Sequence, residues 1–160
     1  MVEKNLVEVE AVGEAIRRAV ARAGSRTKFA AAAVSGSSAI TKLIPMPADL
    51  DEEDMELQIE LEAVNYVPYP VEEVNLDFEV LGPMPGNSEM VQVAASRSEN
   101  VEVRASAREL GGLTAKVIDV EAFAIENAYA LMSGSLNVTR DGLVALVDVG
   151  ATMTTLNVLR

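Results

Sequence analysis

The residues with the most chemical potential lie near the carboxyl end. Val144 to Leu159 reads VALVDVGATMTTLNVL, a buried strand, a small turn bearing Asp148, Gly150 and Thr152, and a second strand opening at Thr154. A tight turn aims backbone N–H groups at an anion, while a nearby carboxylate holds a metal. The same arrangement, a glycine turn between two apolar runs, is also plain structure, so the hairpin taken alone assigns no function.

The remaining inventory narrows the chemistry. Cys and His are both absent, which removes disulfides, thiolate nucleophiles, thiolate or imidazole metal sites and every triad with an imidazole base. What is left is carboxylate, hydroxyl, ammonium and backbone. Lys and Arg number 13 against 25 Asp and Glu, a net charge of −12, which repels nucleic acid and anionic headgroups unless a basic patch is segregated. The densest basic cluster, Arg17, Arg18, Arg22, Arg26 and Lys28, is no such patch. The acidic run Asp49, Asp51, Glu52, Glu53 and Asp54 lacks EF-hand spacing and its central glycine, and reads as a solvated helix start. The opening Met1-Val2-Glu3-Lys4 lacks the order of a signal peptide. No apolar stretch reaches the roughly 18 residues that span a bilayer. These features predict a cytoplasmic protein with no direct membrane insertion and no nucleic-acid partner.

The elements that position the hairpin follow from the hydrophobic period. Apolar residues make up 49% of the 160 but aromatics only 4%, so the core is built of Ala, Val, Leu and Ile, in one domain or in a lobe carrying a small insert. Val12, Ile16, Ala19, Val20 and Ala23 share one helical face that Gly24 terminates. Lys28 to Val34 is a buried strand, and Ile40 to Ile44 a short one stopped by Pro45-Met46-Pro47. A helix from the acidic run to about Tyr66 buries Met55, Ile59 and one or two of Leu57, Leu61 and Val64. Val74 to Val80 alternates as a half-buried strand, the loop Gly82 to Asn87 turns the chain back, and Met90 to Ala95 pairs antiparallel. Ser98 caps a helix to Leu110 that Gly111-Gly112 ends. Thr114 to Val120 is a strand, and Glu121 to Met132 a helix with Phe123, Ala124, Asn127, Ala128 and Leu131 near one side. Ser133-Gly134-Ser135 begins a linker.

This order is α/β with an inserted strand-helix-strand-strand module from about Ser38 to Arg97. The alternative is a ferredoxin-like βαββαβ unit spanning Ile40 to Val120.

Five segments carry a resemblance in a fixed order: VEAVGEAIRRAVARAG at Val9 to Gly24, AVSGSSAITKLIPMP at Ala33 to Pro47, YVPYPVEEVNLDFEVLGP at Tyr66 to Pro83, ELGGLTAKVIDVEAFAIENAY at Glu109 to Tyr129, and ALVDVGATMTTLNVL at Ala145 to Leu159. Together they resemble the PilM family, cytoplasmic actin-like proteins of type IV pilus assembly that are similar to the cell-division protein FtsA. The resemblance implies a partial actin-like, ribonuclease H-like lobe, with residues 1–37 and 98–136 belonging to the lobe, 38–97 to the inserted domain and 137–160 to the start of a second lobe. That disfavours the ferredoxin-like alternative.

In this family Asp148, Gly150 and Thr154 match the second phosphate motif, an Asp-x-Gly turn followed by a hydroxyl residue. The match implies that Asp148 orders Mg²⁺ through water, while the N–H groups of Gly150, Ala151 and Thr152 face the phosphates of ATP. Glu121 matches the acidic residue of the family's first connecting segment, and equally suits a helix N-terminus. Only eight residues precede the Val9 helix and nothing follows Arg160, so the chain reads as an internal piece of a family member without the first phosphate motif and most of the second lobe. ATP and Mg belong to the complete family member, and this piece is not expected to bind ATP appreciably.

The resemblance further implies an adaptor that holds the N-terminal tail of the inner-membrane protein PilN in a groove beside the inserted domain, as part of the pilus alignment complex. An exposed apolar edge at Leu143 to Val147 and Thr154 to Leu159 predicts a homodimer. Two other classes stand beside this one: an actin-like ATPase related to FtsA acting in cell division, and an unrelated small acidic binding domain.

Overall fold

The computed structural model describes residues 6–135, 142–151 and 153–159. In chain order the elements are α1 (Val9–Ala23), β1 (Phe29–Val34), β2 (Ala39–Pro47), α2 (Glu52–Ala63), β3 (Val74–Met84), β4 (Ser88–Arg97), α3 (Ser98–Leu110), β5 (Thr114–Val120), α4 (Glu121–Ser133), β6 (Val144–Val149) and β7 (Thr154–Leu159). They divide into two compact units, one of Met1–Gly36 with Val103–Arg160 and one of Ser37–Glu102.

The first unit is built around β1 and β5, which pair in parallel from Phe29 opposite Thr114 to Val34 opposite Val120. Parallel pairing brings both carboxyl ends, Val34 and Val120, to the same edge. Two helices meet at glycines. A Cβ on Gly13 would stand 2.5 Å from Leu110 Cβ, and one on Gly111 would stand 2.6 Å from Ile16 Cγ2, so α1 and the end of α3 approach as only glycine permits. α3 ends at Gly112, whose φ of 82° lets its N–H reach Glu109 O at 2.9 Å and the next N–H, that of Leu113, reach Arg108 O at 3.0 Å. α4 has no buried residue, and Leu131, placed by its spacing on the apolar side, is exposed. β6 and β7 form an antiparallel hairpin from Val144 opposite Leu159 to Val149 opposite Thr154.

The second unit is an antiparallel sheet in the order β2-β4-β3 with α2 packed on it. Its core is Met46, Met55, Ile59, Val91 and Val93, continued by Ala63, Val67 and Ala95. α2 begins at Asp51, whose carboxylate accepts from the Asp54 N–H at 2.9 Å, the N-cap contact that leaves one fewer orphan donor. β5 pairs with β1 and takes no part in the β2-β4-β3 sheet, which excludes the ferredoxin-like unit.

Three local expectations are corrected. β2 runs on through Pro45 and Pro47, opposite Met90 and Ser88, because an edge strand can spare the donors that proline lacks. β3 continues to Met84 by a bulge between Val80 and Gly82, so the turn is only Pro85-Gly86-Asn87, with φ of 86° at Gly86 and 55° at Asn87. α2 buries Met55, Ile59 and Ala63, while Leu57, Leu61 and Val64 are all exposed.

Candidate functional site

The carboxyl ends of β1 and β5 and the turn of the β6–β7 hairpin face a cavity of about 520 Å³ within the first unit, walled on the far side by α1 and α3. Its polar lining is Ser35, Arg104, Arg108, Glu121 and Asp148; Val12, Ile16 and Met153 are among its apolar walls. Glu121 is there because it is the first residue of α4, directly after β5. Asp148 is there because it lies on the less exposed face of β6, one residue before the strand ends.

The cavity therefore brings together Glu121, Asp148, Gly150 and Ala151 from four of the sequence-predicted positions. Gly150 does so in an unexpected way. Its N–H donates to Met153 O at 2.9 Å, so that donor closes the turn instead of facing a phosphate. A Cβ there would meet Met153 O at 2.8 Å, which is the physical reason for a glycine. Thr154 is exposed at the start of β7, opposite Val149, and does not line the cavity. Thr152 lies outside the described residues.

Two cationic residues were not anticipated from sequence. Arg104 and Arg108 stand one helical turn apart on α3, only 7% and 5% exposed. The Nε–H of Arg104 donates to Ala33 O at 2.9 Å. Burial lowers the pKa of this guanidinium, and the Glu121 carboxylate offsets part of that. Arg108 is also lowered by burial, and further by the like charge of Arg104. Its Nη1 is buried without a hydrogen-bond partner. The signal was available, since two arginines at i, i+4 flank Ala107 on the inward side of α3, but a charged pair on a helix ordinarily marks the solvated face.

Two cationic and two anionic side chains lining one cavity suit a ligand that carries both signs, such as a metal-bound phosphate. Among the described residues no group of three or more carboxylates is assembled for a metal ion, so protein oxygens alone do not make a dedicated cation site. None of the described helices is long and apolar enough to cross a membrane.

The family model described as Type IV pilus assembly protein PilM matches residues 1–160. Among solved structures, the chain is similar to a PilM-PilN type IV pilus biogenesis complex, with a TM-score of 0.82 and 30% sequence identity. The match covers 100% of this chain and 47% of the solved one, so the chain spans about half the length of that relative.

Proposed function

The chain belongs to the type IV pilus assembly protein PilM family, and from that premise we propose that it serves as an adaptor in pilus assembly, binding the N-terminal tail of PilN. The observation that carries this reading is the likeness over the whole chain to a PilM-PilN complex. The chemistry is capture of a short peptide by apolar contacts and main-chain hydrogen bonds, a mode that needs no catalytic residue. The adaptor stands at the cytoplasmic face of the inner membrane, peripheral through its partners. A synthetic PilN tail peptide titrated into the folded chain tests this: saturable heat is expected, and a flat titration at hundreds of micromolar peptide overturns it.

A second reading, actin-like nucleotide binding, is supported by Asp148 and Glu121 lining the same cavity as Arg104 and Arg108. In it Asp148 would hold Mg²⁺, the backbone at Ala151 would bind phosphate oxygens, and Arg108 would balance phosphate charge. Bound Mg²⁺ would neutralise the phosphate oxygens and orient them. Calorimetry with Mg-ATP separates the readings. Saturable binding that Asp148→Asn abolishes is the result expected of this reading, and a flat titration with the folded chain counts against it.

A further inference from the structure

We propose that the outer face of α2 is a docking surface for a basic amphipathic helix of a partner protein. α2 carries two apolar stripes. Met55, Ile59 and Ala63 are buried against the sheet, Ile59 completely. Leu57, Leu61 and Val64, spaced i, i+4 and i+7, fall on the opposite side at 100° per residue. They are 59%, 70% and 69% exposed. A helix that only needed to cover its sheet would be polar on that side. Here a continuous apolar ridge faces outward, of the form that packs against another helix.

Charge selects the occupant. Glu53, Glu56 and Glu60 run along one border of the ridge, all exposed, and α2 contains no Lys or Arg. Within Ser37–Glu102 there are 15 acidic residues and two basic ones, Lys42 and Arg97. Fifteen less two gives this unit a net charge of −13, so the whole chain's −12 leaves the other unit at +1. The negative field is therefore concentrated on the unit that bears the ridge. A second copy of the same face meets like charge, and an anionic bilayer is repelled. A helix with apolar residues at the matching spacing and Lys or Arg beside them gains apolar burial and is steered by the field.

The test uses a synthetic helical peptide with leucines at i, i+4 and i+7 flanked by lysines, and a counterpart with glutamates in place of the lysines, followed by fluorescence anisotropy and amide chemical shifts. The lysine peptide is expected to bind, to weaken as salt rises, and to shift α2 amides, while the glutamate peptide does not bind. Leu57→Ser with Leu61→Ser should weaken binding at least tenfold while the urea midpoint falls only slightly, because neither side chain belongs to the core and the loss is one of helix propensity alone. Glu56→Gln with Glu60→Gln should reduce both affinity and salt dependence. Absence of binding, equal binding to the leucine double variant, or shifts confined to other elements overturns the proposal. So does self-association of the wild type that Leu61→Ser removes, since that assigns the ridge to a second copy.

Discussion

The Nε–H of Arg104 donates to the carbonyl oxygen of Ala33 at 2.9 Å, fastening α3 to β1 just before the chain leaves the first unit and just after it returns. Arg104 is buried and its guanidinium is charged, so this part-buried contact is charge-assisted and its loss leaves the Ala33 carbonyl without this donor. Arg104→Met keeps the aliphatic volume and deletes the donor. It is expected to lower unfolding free energy by about 1.5–3 kcal/mol, measured by urea denaturation. An unchanged midpoint would mean that relief of the repulsion with Arg108 offsets the lost bond.

The crossing of α1 with the end of α3 makes a second prediction, in which helix propensity and packing oppose each other. Gly13→Ala gains up to about 1 kcal/mol of intrinsic propensity, yet its Cβ would stand 2.5 Å from Leu110 Cβ. Overpacking of this kind costs about 1–3 kcal/mol, so net destabilisation is expected in a thermal melt. Gly24→Ala is the contrast: nothing lies near its Cβ, but φ is 63°, and the cost is about 1 kcal/mol from backbone strain alone. If Gly13→Ala proves stabilising, the helices are free to separate.

How far these features were legible in sequence depends on whether local pattern or tertiary contact decides them. α1, β1, β5 and the β6–β7 hairpin emerged from hydrophobic period and glycine punctuation. The extension of β2 across Pro45 and Pro47 did not, because tolerance of proline depends on being an edge strand, which is a property of the sheet order. α2 was located from its acidic start, but two apolar stripes on opposite faces leave the period without a preferred side, so Leu57, Leu61 and Val64 could not be told from the core by spacing. At the site, Asp148 and Glu121 followed from motif and strand ends. Arg104 and Arg108 are not legible in the sequence because only the packing of α3 against α1 and β1 turns that pair inward.

Tyr66 gives a pH prediction. Burial raises its pKa above the usual 10.0, and the nearby Glu62 carboxylate raises it further. Below pH 10 the phenol is neutral in both states and stability does not depend on it. Above it the unfolded chain ionises first, so stability falls as pH rises from 10 toward the raised value. Tyr66→Phe should remove that alkaline loss. Because the Tyr66 hydroxyl is buried without a partner, the same variant should also gain up to about 1 kcal/mol at neutral pH. Urea midpoints at neutral and alkaline pH check both effects, and a variant as alkali-sensitive as the wild type would transfer the effect to another group.

The hairpin supplies the last prediction: its first strand, expected to be buried, alternates between half-buried and exposed residues instead, so its two faces differ. Alternation along β6 and β7 turns Val144, Leu146 and Asp148 to the less exposed side, together with Thr155, Asn157 and Leu159. Val147, Val149, Leu156 and Val158 therefore share the other side, and all four are exposed. Val147 stands opposite Leu156, so the four form a continuous apolar patch on a two-stranded ribbon, an arrangement that pairs readily with a second copy. The acidic charge does not oppose this contact, because it is concentrated on the other unit. Sedimentation equilibrium is expected to show concentration-dependent dimers that Val149→Lys with Leu156→Lys converts to monomers. Since neither side chain is buried, thermal stability of the monomer should be unchanged. Wild-type protein that sediments as a monomer throughout would show that this face does not mediate self-association.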